Sequence, residues 1–250
     1  MSELTGKTAL ITGSLRGIGK SIALTLAEKG ADIILNDLAE SEDLEEIVNG
    51  VRAFNRKVFF KAADVSREKD VEALFSFAKN STGKLDILVN NAGTSQAQDI
   101  FDTSLDDWEH VLGTNLTSCF LCAKYAMQIM REQKDGRIIN ISSVVGQQGA
   151  LYGHVHYSAS KSAILGLTKT LARTGAPLGI RVNCIAPGII ETDLLTQTHG
   201  NEGIVRIAEN VPLGIGQPRD IGLAVAFLAG EGGNYITGAT IDINGGLYFR

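Results

Sequence analysis

The chain of 250 residues is short of several things that define protein classes. It has three cysteines, Cys119, Cys122 and Cys184, too few for a disulfide framework. Cys119 and Cys122 form a C-x-x-C, but no second cysteine pair or histidine cluster accompanies them. The spacing therefore reads as two small apolar side chains in a buried helix, and no metal is expected. Runs of basic residues are missing too. Lys plus Arg number 23 against 28 Asp plus Glu, a net charge of −5, which excludes a bulk nucleic-acid binder. Apolar stretches are broken by Gly, Asn and charges well before the roughly 20 residues that a bilayer span needs. The opening Met1-Ser2-Glu3-Leu4-Thr5-Gly6-Lys7 lacks the charged and apolar regions of a signal peptide, so the expected location is the cytoplasm. No Pro- or Ser-rich linker and no internal repeat divides the chain, and a hydrophobic content of 44% rules out disorder as the main state. A single domain over residues 1–250 is the expectation, close to the size at which one core stops growing.

What the sequence does contain is an alternation of β-branched runs with helix-length amphipathic stretches. Thr8-Ala9-Leu10-Ile11, Ile33-Ile34-Leu35, Val58-Phe59-Phe60, Ile87-Leu88-Val89, Ile138–Ile141, Val182–Ile185 and Ile241-Asp242-Ile243 read as strands. Near-continuous apolar strands separated by helices predict a parallel sheet covered on both faces, hence a doubly wound α/β domain. Directly after the first strand comes Thr12-Gly13-Ser14-Leu15-Arg16-Gly17-Ile18-Gly19, opening a helix. Glycines there let backbone approach a pyrophosphate, and the helix N-terminus offers free N–H groups, so Gly13, Ser14, Arg16, Gly17, Ile18 and Gly19 are expected at a coenzyme. The spacing is neither G-x-G-x-x-G nor a P-loop, because Ser14 stands where the latter needs glycine. Asp37 follows at about the 20-residue offset of a ribose-binding carboxylate. It can accept from both adenosine-ribose hydroxyls and would repel a 2′-phosphate, whereas Arg16 would attract one. On balance the expectation is NAD(H) over NADP(H).

Tyr157 and Lys161 stand four apart in a predicted helix from Tyr157 to about Arg173, so both project from one face. A free phenol titrates near about 10, and a neighbouring ammonium stabilises its anion and makes it a usable proton donor and acceptor. Ser158-x-x-Lys161 is not joined by the S-D-N and K-T-G of β-lactamases, and no G-x-S-x-G elbow exists, which disfavours serine hydrolysis.

Together these residues resemble the short-chain dehydrogenase/reductase family across essentially the whole chain. Thr12-Gly13-x-x-x-Gly17-Ile18-Gly19 matches its coenzyme turn, Asp64-Val65 its adenine-side pair, and Asn90-Asn91-Ala92-Gly93 the segment ending the fourth strand. Asn115, Ser143, Tyr157 and Lys161 fall where its catalytic tetrad is expected, and Pro187-Gly188-Ile189-Ile190-Glu191-Thr192 is similar to its nicotinamide-side loop. The resemblance implies a Rossmann-type domain with a parallel sheet of about seven strands and hydride transfer between a nicotinamide and a substrate carbon. It implies that Ser143, rather than Ser142, hydrogen-bonds the substrate oxygen and that Tyr157 moves the proton. Lys161 would support Tyr157 and hold the nicotinamide ribose, while Asn115 would order a water beside Lys161. Asp64 would contact adenine, Asn91, Ala92 and Gly93 would line the groove, and Pro187, Gly188, Ile190 and Thr192 would hold the carboxamide side. It also implies a homotetramer.

Within the family, Gly136–Gly146 resembles the 3-oxoacyl-[acyl-carrier-protein] reductases. Those enzymes usually favour NADPH and place a basic residue in the loop after the Tyr-Lys helix. Here Asp37 points to NADH and the loop Thr174–Gly179 is uncharged, with Lys134 the matching basic residue on that side. A small polar alcohol or ketone (a sugar, polyol or hydroxy acid) is thus the expected substrate, and a carrier- or CoA-bound 3-oxoacyl chain the alternative. A nicotinamide sensor without turnover is a remote third reading, which an intact proton relay argues against. Substrate contacts are expected from Ser143, Gln147, His154 and His156, with Tyr152 and His199 behind them. The segment 193–217 is the expected substrate loop, with Thr196–Ile204 as a lid.

Overall fold

A computed structural model describes residues 3–151, 153–193, 195–196, 203–204 and 208–250. Its framework is one parallel sheet of seven strands: β1 (Thr8–Thr12), β2 (Asp32–Asp37), β3 (Val58–Ala62), β4 (Ile87–Asn90), β5 (Gly136–Ile141), β6 (Ile180–Pro187) and β7 (Thr240–Ile243). The spatial order is β3-β2-β1-β4-β5-β6-β7. The chain winds outward from β1 in one direction, then crosses back to start β4 on its other side. A crevice opens at the carboxyl ends of strands where the winding reverses, here between β1 and β4.

Eight helices cover the sheet among the described residues: α1 (Gly17–Glu28), α2 (Asp43–Ala53), α3 (Glu68–Thr82), α4 (Leu105–Leu112), α5 (Ser118–Gln133), α6 (Val145–Gln148), α7 (Val155–Gly175) and α8 (Pro218–Ala229). The strands are apolar almost throughout because both faces are buried. Successive side chains point to opposite faces. Ala9, Ile11, Ile33 and Leu35 meet Ile22 and Leu26 of α1 and Ile221 and Val225 of α8 on one side. Leu10, Ile34, Leu88 and Ile138 meet Leu74 of α3 and Cys122, Ala126 and Met130 of α5 on the other. Cys119 and Cys122 are buried on α5, as the sequence reading placed them, and burial pushes the Cys119 thiol up to about 11.

The sequence does not announce how α4 joins α5. The two run on through a π-helical turn, Gly113–Thr117, in which Asn115 is fully buried. Gly113, Thr114 and Thr117 are poor helix formers, and a π-turn swings one side chain off the regular helical path. Gly166 gives a simple test of α7. A Cβ there would meet nothing within 4 Å, and glycine inside a helix costs about 0.5–1 kcal/mol relative to alanine. Gly166→Ala is expected to raise stability by about that amount, as read by denaturant unfolding.

Candidate active site

The crevice is a cleft of about 550 Å³ above β1 and β4. Its floor begins at the turn after β1. Gly13 adopts φ +61°, and a Cβ on it would lie 2.9 Å from the Cα of Ala92. At Gly19 a Cβ would lie 2.0 Å from the carbonyl oxygen of Gly13. Nothing larger than glycine fits, so backbone is exposed where a side chain would otherwise fill the cradle. The turn is locked to the loop after β4. Asn91 Nδ2 donates to the carbonyls of Thr12 (3.0 Å) and Gly13 (2.8 Å), and Thr12 Oγ1 accepts from the N–H groups of Asn91 and Ala92. Residues that line the cleft as the sequence reading expected are Gly13, Arg16, Gly17, Ile18, Gly19, Asp37, Asp64, Val65, Asn91, Ala92 and Gly93. Pro187, Gly188, Ile190 and Thr192 close it from the β6 side.

At the other end stand Ser143, Tyr157 and Lys161. Lys161 is almost fully buried, its Nζ donating to the Ile141 carbonyl (2.9 Å) and lying 5.5 Å from the centroid of the Tyr157 ring. The preference for Ser143 over Ser142 has a clear geometry. Ser142 spends its hydroxyl on the Lys161 carbonyl (2.7 Å), pinning α7 to β5, whereas Ser143 Oγ accepts only a long contact from the Val145 N–H (3.4 Å). His154 caps α7 in the left-handed region, φ +58°, with Nδ1 3.0 Å from Ser95 Oγ and its ring edge-on to Tyr157. It lines the cleft, as expected.

Three expected residues, Ser14, Gln147 and His156, are turned away from the cleft. Ser14 is fully buried and exchanges hydrogen bonds with the backbone of Asn36, so it ties β1 to β2 instead of facing a ligand. Asn115 lies just behind the cleft wall on the Lys161 side, since a Cβ on Gly93 would be 3.3 Å from its Oδ1 and 3.5 Å from Lys161 Nζ; its amide pairs with the N–H and carbonyl of Thr94 and donates to Ser160 Oγ. Gln147 donates to Asp242 on β7 (2.7 Å) and is not at the cleft. His156 points inward, with no exposed surface, and is held by Gln96. Helical spacing could not separate it from His154, because a first-turn side chain turns in or out according to what packs on it. Polar cleft residues that went unnoticed in the sequence include Asn36, Ser66, Thr94, Ser95, His110 and Thr114; Thr114 is signalled only by its neighbour Asn115. Tyr152, His199 and most of Thr196–Ile204 lie outside the described residues.

Burial lowers the His156 pKa below the ordinary imidazole range, opposed by the charge of Asp107. In the unfolded chain the ring titrates near about 6.5, so on acidification that state takes up the proton first. This contribution to stability is therefore complete above about pH 6.5 and lost as pH falls toward the lower folded-state pKa. Thermal unfolding over about pH 5 to 8 should show a steeper acid decline for wild type than for His156→Asn.

Comparison with known proteins bears directly on this arrangement. Residues 13–248 match the family model described as Enoyl-(Acyl carrier protein) reductase. The 3-oxoacyl-[acyl-carrier-protein] reductase FabG of Vibrio cholerae is 41% identical over 98% of this chain and 99% of its own. FabG of Staphylococcus aureus strain Mu50 is 41% identical over 97% of this chain and 98% of its own. A solved short-chain type dehydrogenase/reductase from Mycobacterium marinum superposes with a TM-score of 0.94 at 33% identity, covering 99% of this chain and 98% of that one. The chain belongs to the short-chain dehydrogenase/reductase family. It is an oxidoreductase with the family's Rossmann-type sheet.

Membership corrects one expectation. The preference for NAD(H) read from Asp37 is overturned by the carrier-protein reductase relatives, the group of short-chain dehydrogenase/reductases that usually uses NADPH. The physical reason lies in the cation that stands beside Asp37. The two carboxylate oxygens of Asp37 accept from the backbone N–H groups of Leu15 (3.1 Å) and Leu38 (3.0 Å). The carboxylate is thus part of the loop scaffold, while Arg16 stands exposed on the same cleft edge.

Proposed function

We propose that the protein is a reductase of 3-oxoacyl thioesters that uses NADPH. The observation that carries this reading is the near-full-length identity of 41% to 3-oxoacyl-[acyl-carrier-protein] reductases in a chain whose cleft gathers Ser143, Tyr157 and Lys161. The cradle that a Cβ at Gly13 or Gly19 would fill, continued by Asp64, Val65 and Asn91–Gly93, fits a dinucleotide along the carboxyl ends of β1, β2 and β4. Arg16 would meet its 2′-phosphate, and Thr192 and Ile190 its nicotinamide side. When bound, the reduced nicotinamide supplies the hydride for the substrate's carbonyl carbon.

The rest is done by the chain's own side chains. Ser143 Oγ donates a hydrogen bond to the substrate carbonyl oxygen and holds it toward Tyr157. The Tyr157 hydroxyl donates the proton that turns this oxygen into the product alcohol. The Lys161 ammonium, fixed by the Ile141 carbonyl, stands beside the ring and favours the negative charge left on the phenol oxygen. The loop after α7 is uncharged, but exposed Arg173 at the end of that helix and exposed Lys134 beside Gly179 flank it, which suits an acidic carrier. The same reading carries the homotetramer that the resemblance implies and the cytoplasmic location expected from the sequence.

The test is consumption of NADPH by the purified protein with acetoacetyl-CoA, run beside NADH and beside oxidised coenzymes with sugars, polyols and hydroxy acids. Thioester reduction that is faster with NADPH is the expected result. A silent thioester with a responsive polyol or sugar would overturn the proposal.

A further inference from the structure

Resting on the reductase reading above, we infer that His156 is a positioning residue that clamps the backbone of Tyr157 and ties it, through Gln96, to α4. Tyr157 is the third residue of α7, where a backbone N–H has no acceptor within its own helix. His156 Nδ1 supplies one at 3.1 Å.

Which nitrogen is bare follows from a chain of donors that begins at a carboxylate. Asp107, held by the side chain and backbone of Ser104 at the start of α4, can only accept when ionised. The Gln96 amide nitrogen faces it at 3.5 Å, so the Gln96 oxygen faces His156 Nε2 at 3.0 Å. Nε2 therefore carries the proton and Nδ1 is free to accept from Tyr157. On the other side of Tyr157, Ser160 Oγ donates to its carbonyl (2.7 Å) and accepts from Asn115 Nδ2, whose amide is paired with Thr94. Both peptide groups of Tyr157 are thus fixed by routes that end on one loop, residues 94–96. That loop also contributes Thr94 and Ser95 to the cleft wall.

His156 is wholly buried and not at the cleft, so it acts through Tyr157. Protonation would turn Nδ1 into a donor aimed at another donor, beside the positive end of the α7 dipole. Around it the loop offers the neutral Gln96 and Gln98, α4 offers Asp107, and α7 carries the titratable His154 at its cap, Tyr157 and, further along, Lys161.

The experiment measures kcat and KM against pH with acetoacetyl-CoA and NADPH for the full-length wild type, His156→Leu and His156→Asn. His156→Leu should lower kcat about 10- to 100-fold, the scale of a displaced reacting group, with KM for NADPH unchanged. Asn places Oδ1 where Nδ1 stood and cannot titrate, so it should restore most of the lost kcat and remove the acid limb of the wild-type profile. Wild-type kcat in the Leu variant, or an Asn variant no better than Leu, would overturn the inference. Nitrogen NMR of the imidazole in the wild type needs neither variant nor turnover. A protonated Nε2 and bare Nδ1 are expected, and a protonated Nδ1 would sink the clamp. Wild-type protein inactive on the thioester would count against the reductase reading alone, and the nitrogen spectrum would still decide on His156.

Discussion

Tyr157→Phe is expected to lower kcat for thioester reduction by about 10³-fold, within the range for loss of a general acid, while NADPH affinity stays within about twofold, the error of additive reasoning at one contact. The substitution removes one hydroxyl and leaves the ring in place, edge-on to His154 and beside the Lys161 ammonium. Lys161 keeps its bond to the Ile141 carbonyl, and the glycine cradle is untouched, so the nucleotide contacts proposed here survive. Steady-state kinetics and fluorescence titration of bound NADPH separate the two effects. A variant keeping a tenth or so of wild-type kcat would fall outside the general-acid range and move the proton donor to another polar side chain at that end of the cleft, Ser143, His154 or Lys161. The same pair of measurements disposes of the sensor reading, since a sensor has no turnover for Phe to remove.

The parts of the site that could be read from sequence are those whose side-chain direction is set by local periodicity. Seven parallel strands were visible because burial on both faces keeps runs such as Ile33-Ile34-Leu35 apolar throughout. Tyr157 and Lys161 were visible because a helix places residues four apart on one face. Residues whose direction depends on a distant partner were not. Gln147 turns to Asp242, 95 residues away in the chain. His156 turns to Gln96, and Ser14 to Asn36 on the neighbouring strand. Asn115 was identified by resemblance, but its place in a π-helical turn behind the wall came from a helix irregularity that no spacing rule encodes. The coenzyme expectation failed on a related point. The carboxylate of Asp37 does not act alone at that edge, because the exposed guanidinium of Arg16 lines the same part of the cleft.

Gly19→Ala should damage coenzyme binding where Tyr157→Phe damages turnover, and for a steric reason. The added methyl would stand 2.0 Å from the Gly13 carbonyl oxygen and 2.6 Å from Asn91 Nδ2. Both are held in place: the oxygen is main chain of the turn after β1, and the Asn91 side-chain amide already donates to the Thr12 and Gly13 carbonyls. Neither can swing aside as the tip of a flexible side chain could, so the turn itself must open. Overpacking of this kind costs about 1–3 kcal/mol, which for a chain of this size lowers Tm by about 2–4 °C per kcal/mol. Opening the turn also pulls the start of α1 away from the place proposed for the pyrophosphate, and Kd for NADPH should rise at least about tenfold, one unit of 1.4 kcal/mol. Gly166→Ala is the matched control, because the same methyl on an open helical position stabilises. Thermal unfolding and NADPH titration on the two variants read the contrast directly. If Gly19→Ala bound NADPH as wild type does, the cradle after β1 would not be where the nucleotide sits, and the assignment of the cleft's two ends would have to be redrawn.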